Sequence, residues 1–258
     1  MTPPSLTAII LAYNESRHIE ACMASLRFAD HILVFDSGST DGTPDLARAA
    51  GAEVRARPFQ NYPDQRNAAL GAVSTEWVLF VDADERVTPE LAAEVRAVIQ
   101  TPQHSGYWIP RHNYIFGRLT RHTGWYPDYQ MRLLRREEAQ YDPGRLVHEL
   151  VILKSGEGGY LKEHLTHYNY ENLAQFQAKQ ARYAQLDADM LSREGVRPKI
   201  YTPYTQAVRH FKWRFWDLEG YKDGLHGLRL SYLMARYERR KYALLRAAQG
   251  ASNKSAST

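Results

Sequence analysis

Trp77-Val78-Leu79-Phe80-Val81-Asp82-Ala83-Asp84-Glu85-Arg86 constrains the fold of this chain more than any other stretch. An unbroken apolar run of this length, rich in Val and aromatic residues, predicts a buried strand. It ends on two aspartates at i and i+2, followed at once by a third acid. Alternate strand residues share a face, so Asp82 and Asp84 can converge on one divalent cation. Open α/β sheets place ligands at the carboxyl ends of their strands. Mg2+ favours sites with one or two carboxylates completed by substrate phosphates. Taken alone, the same residues are also compatible with a solvated Asp-x-Asp turn.

The rest of the first hundred residues repeats the strand-to-helix pattern. Leu6 to Ala12, Ile32 to Phe35, Glu53 to Ala56 and Trp77 to Val81 read as strands. Helical spacing falls between them at Glu15 to Leu26, Pro44 to Ala50 and Pro63 to Ala72, and again up to about Ile99. Thr43-Pro44 and Thr88-Pro89 each pair a capping hydroxyl with proline at the first helical position. Strands separated by helices predict a parallel sheet with helices on its faces. After Thr101, extended aromatic segments at Gly106 to Phe116 and Gln130 to Leu134 are expected to add mixed strands. Asn172 to Leu191 predicts a helix, Gly195 to Pro203 a linker, and Tyr204 to Gln249 a further helical region.

Three strand ends carry polar loops suited to a nucleotide. Tyr13-Asn14-Glu15 follows the first strand, and Asp36-Ser37-Gly38-Ser39-Thr40-Asp41-Gly42 follows the second. The second loop is a small turn entering a helix N-terminus, where backbone N–H groups can meet an anion and Asp36 can accept from a base or ribose. Ordinary turn and cap chemistry is the alternative for each loop separately. Gln65-Arg66-Asn67 opens the helix before the fourth strand, where Arg66 is either a phosphate partner or a surface arginine.

These four motifs, in this order and spacing, resemble family 2 glycosyltransferases over roughly residues 5 to 100. Gly124-Trp125-Tyr126-Pro127-Asp128-Tyr129-Gln130-Met131-Arg132-Leu133 and Val147-His148-Glu149 extend the likeness towards the lipopolysaccharide core glucosyltransferases of the WaaE/KdtX kind. The resemblance implies an α/β chain with a GT-A fold, a Rossmann-like, mainly parallel mixed sheet flanked by helices, with a C-terminal helical extension. It also implies an inverting, metal-dependent transfer of a hexose from a nucleotide-diphosphate sugar, UDP-linked in the first instance, with Mg2+ or Mn2+. Tyr13, Glu15 and Asp36 would hold the nucleoside with Arg66 nearby. Asp82 would contact ribose or metal, Asp84 would bind the metal, and Asp128 falls at the general base, with a turn after Pro127 as its alternative. His148 is a candidate further metal ligand, since imidazole suits Mn2+ better than Mg2+; acceptor binding, phosphate binding and a structural role are its alternatives. His164 and His167 have weaker claims. Trp125 and Tyr126 either stack on a sugar ring or pack in a core.

Charge divides the chain. Residues 201 to 250 carry ten lysines and arginines against four acids, although the whole chain is only +4. A catalytic domain over 1–200 and a basic aromatic tail over 201–258 are therefore expected. Phe211-Lys212-Trp213-Arg214-Phe215-Trp216 interleaves rings with cations, as an interfacial helix does on an anionic membrane. A helical hairpin packed on the catalytic domain is the alternative, and no recognised module supports nucleic acid as a partner. The one cysteine, Cys22, allows no internal disulfide and suits a reducing cytoplasm. No basic leader precedes the first apolar stretch and no run has the length of a membrane span. The expected location is therefore cytoplasmic, peripheral on the inner face of the cell membrane, beside a lipid-linked or cell-surface glycan acceptor. A non-catalytic nucleotide-binding or membrane adaptor on the same fold is the competing class.

Overall fold

The computed structural model describes residues 3–145 and 150–255. In chain order the principal elements are β1 (Leu6–Ala12), α1 (Ile19–Ser25), β2 (His31–Asp36), α2 (Thr43–Ala49), β3 (Glu53–Ala56), α3 (Tyr62–Gly71), β4 (Trp77–Asp82), β5 (Glu85–Val87) and α4 (Pro89–Gln100). They continue with β6 (Gly106–Ile115), β7 (Arg118–Thr120), β8 (Tyr129–Arg135), β9 (Ala139–Tyr141), β10 (Val151–Leu153), β11 (Gly159–Tyr160) and β12 (Leu165–Tyr170). Three helices follow: α5 (Leu173–Arg193), α6 (Thr202–Lys212) and α7 (Gly224–Ser255). The chain forms two compact units, one of residues 1–112 and 128–168, the other of 113–127 and 169–258.

The first unit is built on a sheet with the order β3-β2-β1-β4-β8-β6. β3, β2, β1 and β4 run parallel, and β8 and β6 add antiparallel strands. β4 explains why its sequence is continuously apolar. Trp77, Leu79 and Val81 enter the core cluster on one face, while Val78 and Phe80 enter the cluster on the other. A strand covered on both faces has no solvent side to mark with polar residues. The helices cover those faces through ordinary amphipathic spacing. In α4, Leu91, Val95 and Ile99 are buried, and the Thr88 hydroxyl accepts from the Leu91 amide to cap the first turn. In α3 the Asn61 side chain accepts from the Asp64 amide.

Register places the functional strand ends side by side. Asp36 lies opposite Ala12, and Asp82 lies opposite Leu11. Sheet order reverses at β1, which makes this the topological switch point where such sheets bind ligands. Two local differences from expectation have physical causes. α1 begins at Ile19 instead of Glu15, because Asn14 adopts a left-handed φ of 57° and residues 15–18 form a turn. β5 is a three-residue strand immediately after the Asp82–Asp84 turn, pairing antiparallel with the start of β12, and is too short to leave a periodic signal.

The second unit packs α5 and α7 around Ile115, Tyr170, Phe176, Leu230, Leu233 and Tyr237. It holds residues 169–200 as well as the basic segment. The expected continuous helical region is interrupted after α6 by a π-helical turn at Trp213–Asp217 and a 3-10 turn at Gly220–Asp223. The break is fixed by close approach. A Cβ at Gly227 would fall 1.9 Å from the Gly220 carbonyl oxygen, so the start of α7 meets this corner only with glycine.

Candidate active site

The loops after β1 and β2 are tied to each other by hydrogen bonds. The Asn14 amide donates to the Ser39 hydroxyl at 2.8 Å, and the Thr40 amide donates to Asn14 Oδ1 at 2.8 Å. The Glu15 amide donates to Thr43 Oγ1 at 2.8 Å, and the Ser16 amide to Asp41 Oδ2 at 3.0 Å. Asp36 is buried, and its carboxylate gathers the loop. Oδ2 accepts from the Gly38 and Ser39 amides at 3.0 Å each, and Oδ1 accepts from the Ser39 hydroxyl at 2.6 Å. Gln65 joins this loop by donating to Ser37 Oγ at 3.1 Å. Tyr13, by contrast, presents its ring to solvent, a flat surface beside a rigid loop.

Arg66 is buried, which removes the surface-arginine alternative. Its guanidinium lies over the Phe80 ring at 5.1 Å and the Tyr141 ring at 5.5 Å, a cation–π arrangement. Its neighbour Asn67 clamps the Tyr141 backbone through two hydrogen bonds of 2.8 Å. From there Arg66 Nη2 reaches Asp82 Oδ1 at 3.2 Å.

Asp82 is the centre of a charged chain. Besides Arg66, it takes both guanidinium nitrogens of Arg132, Nη1 to Oδ1 at 3.2 Å and Nη2 to Oδ2 in closer contact. Burial alone would raise the Asp82 pKa, but Arg132 and Arg66 overcome it and hold the carboxyl well below the usual carboxylate range. Glu85 is wholly buried beside it. Glu85 Oε2 accepts from the Asp82 amide at 2.9 Å, while Oε1 accepts from Arg111 Nη1 at 3.1 Å and Arg132 Nη2 at 3.4 Å. Arg111 in turn grips Asp128, its Nε and Nη2 lying 2.9 and 2.7 Å from Oδ2. Gln130 donates to Asp128 Oδ1 at 2.9 Å. Burial would lower the Arg111 pKa, but Glu85 and Asp128 outweigh it and raise it.

Asp84 Oδ2 lies 3.4 Å from His167 Nε2. The Tyr168 amide donates to the Asp84 carbonyl at 2.9 Å, fixing the turn. One carboxylate and one imidazole form a donor pair compatible with Mn2+. Among the described residues no group of three or more His, Cys, Asp or Glu side chains is arranged to hold a metal. The His112 and His164 rings lie with centroids 3.6 Å apart, tilted by 31°. His148 lies outside the described residues. Trp125 belongs to the second unit, edge-on to Tyr170 at 6.1 Å, in keeping with its core-packing alternative. Cys22 is buried with its pKa pushed up by burial, which leaves it no thiolate chemistry.

Sequence reasoning missed Glu85, Arg111 and Arg132 and underweighted His167. One signal was present. Asp128, Gln130 and Arg132 stand two residues apart in the sequence, the spacing of one strand face, although the β6–β8 pairing shifts register at Arg132. The partners of Glu85 come from β6 and β8, which no local pattern reveals.

Comparison with known proteins places the chain in a family. The family model described as glycosyl transferase family 2 matches residues 7–153. A lipopolysaccharide core biosynthesis glycosyltransferase, LpsC of Rhizobium meliloti, is 29% identical over 93% of both chains. An uncharacterized glycosyltransferase of Rickettsia bellii is 33% identical over 40% of this chain and 35% of its own. Among solved structures, glucosyl-3-phosphoglycerate synthase of Mycobacterium tuberculosis, in complex with Mn2+, UDP and glucosyl-3-phosphoglycerate, is 19% identical. It covers 76% of this chain and 82% of its own, with a TM-score of 0.49.

Proposed function

The chain belongs to glycosyl transferase family 2, with a GT-A fold and C-terminal helices, and from that premise we propose that it is an inverting, metal-dependent hexosyltransferase. The donor is a nucleotide-diphosphate sugar, UDP-linked, and the acceptor a lipid-linked or cell-surface glycan of the lipopolysaccharide core type. The observation that carries this reading is the different condition of the two aspartates at the end of β4. Asp82 is neutralised by Arg66 and Arg132, whereas Asp84 sits beside an imidazole.

In this reading Asp84 and His167 hold the divalent cation, and Asp82 takes the ribose. A cation there would offset the charge that grows on the diphosphate leaving group. Tyr13, Glu15 and Asp36 form the nucleoside side, Tyr13 as a stacking ring and Asp36 through the loop it shapes. Arg66 fixes Asp82. His148 is a further candidate ligand. Asp128 accepts the proton of the acceptor hydroxyl as that oxygen attacks the anomeric carbon. Arg111 and Gln130 hold its oxygens in place for the transfer. Attack from the face opposite the diphosphate inverts the configuration.

The acceptor class rests on the LpsC likeness, which spans almost the whole of both chains. Its membrane aspect is supported by the second unit. Leu225, Leu228, Arg229, Tyr232 and Arg236 line one exposed face of α7, and Trp213, Trp216 and Tyr221 are exposed at the corner before it. No helix among the described residues is long and apolar enough to cross a membrane. We therefore propose a catalytic domain over 1–200 and a membrane-surface segment over 204–249, acting on the cytoplasmic face.

The test is turnover and binding across UDP-, GDP- and TDP-sugars with Mn2+, Mg2+ or EDTA. One donor consumed only with metal supports the reading. No binding to any donor would favour a non-catalytic adaptor.

A further inference from the structure

We infer that Glu85 is a positioning residue that couples the donor carboxylate Asp82 to the acceptor-side carboxylate Asp128, through Arg132 and Arg111. The inference rests on the transferase reading above and names a residue that reading does not use. Glu85 has no solvent exposure, so it cannot itself meet a substrate. Its two oxygens nonetheless address both halves of the site. Oε2 accepts from the backbone amide of Asp82, while Oε1 is shared by Arg111 and Arg132. Each of those arginines also holds a different aspartate: Arg111 places Nε and Nη2 on Asp128, and Arg132 holds Asp82 through Nη1 and through the same Nη2 that meets Glu85.

Charge counting shows why the acid is needed. Arg66, Arg111 and Arg132 face Asp82, Glu85 and Asp128, three cations against three anions. Buried guanidinium groups require compensation, and removing one partner leaves the others to rearrange. Without Glu85 the two flanking arginines have only Asp82 and Asp128 to turn to. Both would draw those carboxylates inward, off the positions from which they address ribose and acceptor hydroxyl. A displacement near 1 Å at a reacting group costs about 100-fold in rate.

The arrangement also predicts how the two halves separate. Arg111 touches Asp128 and Glu85, so its loss should impair transfer while donor binding persists. Glu85 touches both sides, so its loss should weaken both. Glu85→Gln combined with Arg111→Gln restores equal numbers of cations and anions.

The experiment measures kcat for transfer, donor Kd by calorimetry with Mn2+, and thermal midpoint, for the full chain and three variants. They are Glu85→Gln, Arg111→Gln and the double. The expected result for Glu85→Gln is a kcat loss of about 100-fold with weaker donor binding. Arg111→Gln should lose kcat with donor Kd within about twofold of wild type, and the double should be no worse than the poorer single variant, a strongly non-additive cycle. If Glu85→Gln fails to fold, recovery of folding in the charge-balanced double supports the coupling. The inference is overturned if Glu85→Gln keeps kcat within about threefold, if the two single effects multiply, or if the double also fails to fold, which would make Glu85 purely structural. A wild type that consumes no donor overturns the transferase reading and this inference with it. An active wild type with an indifferent Glu85→Gln overturns the inference alone.

Discussion

The two units invert ordinary burial in opposite directions. In the first, charged side chains go inside: Glu85 is 0% exposed, Asp36 2%, Arg132 4% and Arg66 5%. In the second, large apolar side chains stay outside: Leu225 is 82% exposed, Tyr232 62% and Trp216 58%. Each inversion is unfavourable for folding alone. Buried ions must be desolvated and paired, and exposed rings forgo burial worth about 1.5–3 kcal/mol apiece. Chains keep such features where a ligand completes them. On the proposed reading the contrast separates two tasks, charge organised for a polar substrate in the first unit and an apolar, cationic face in the second.

Substitutions can break this contrast from either side. Asp84→Ala should have the largest effect, abolishing metal-dependent donor turnover; retained turnover would remove Asp84 from the metal site. Asp128→Asn should lower transfer by about 10²–10⁴-fold while calorimetry still finds donor binding. Loss of binding as well would make Asp128 a donor or structural residue. Arg132→Met removes the guanidinium shared by Asp82 and Glu85 and should cost about 3–5 kcal/mol in urea unfolding. A smaller cost would mean the chain of charges is dispensable for the fold.

On the other side, Trp216→Ser with Leu225→Ser should reduce sedimentation with phosphatidylglycerol vesicles by about tenfold. Unchanged sedimentation would leave these side chains without a membrane role. The smallest effect concerns His210. Burial, with help from Arg214, Lys241 and Arg209, lowers its pKa to about 4, and it accepts a hydrogen bond from Arg214 Nε at 2.8 Å. A histidine kept neutral in the fold stabilises above its unfolded pKa and loses that stabilisation as pH falls through the folded value. Stability should thus decline between about pH 6.5 and 4, and His210→Gln should flatten that slope in thermal melts.

Much of the first unit was legible in the sequence because its signals are local. β4 reads as a buried strand since both of its faces are covered, and Thr88 and Pro89 announce α4 through capping chemistry. Asp36 and Asp82 could be located at strand ends for the same reason. Their partners could not. Asp82 meets Arg132 across 50 residues of chain, and Glu85 meets Arg111 across 26, so only the antiparallel return of β6 and β8 brings them together. His167 was undervalued because its contact with Asp84 depends on β12 pairing with the very short β5. In the second unit the pattern from Tyr204 to Gln249 is helical throughout, and the corner between α6 and α7 depends on the packing of Gly227 against Gly220.

The most direct test of the metal-dependent transfer is Mn2+ binding followed by electron paramagnetic resonance, with and without UDP, in the wild type and Asp84→Ala. Wild type should bind Mn2+ tightly only when UDP supplies its phosphates, and Asp84→Ala should lose that ternary complex. Equal Mn2+ binding by the two proteins in the presence of UDP would contradict the account.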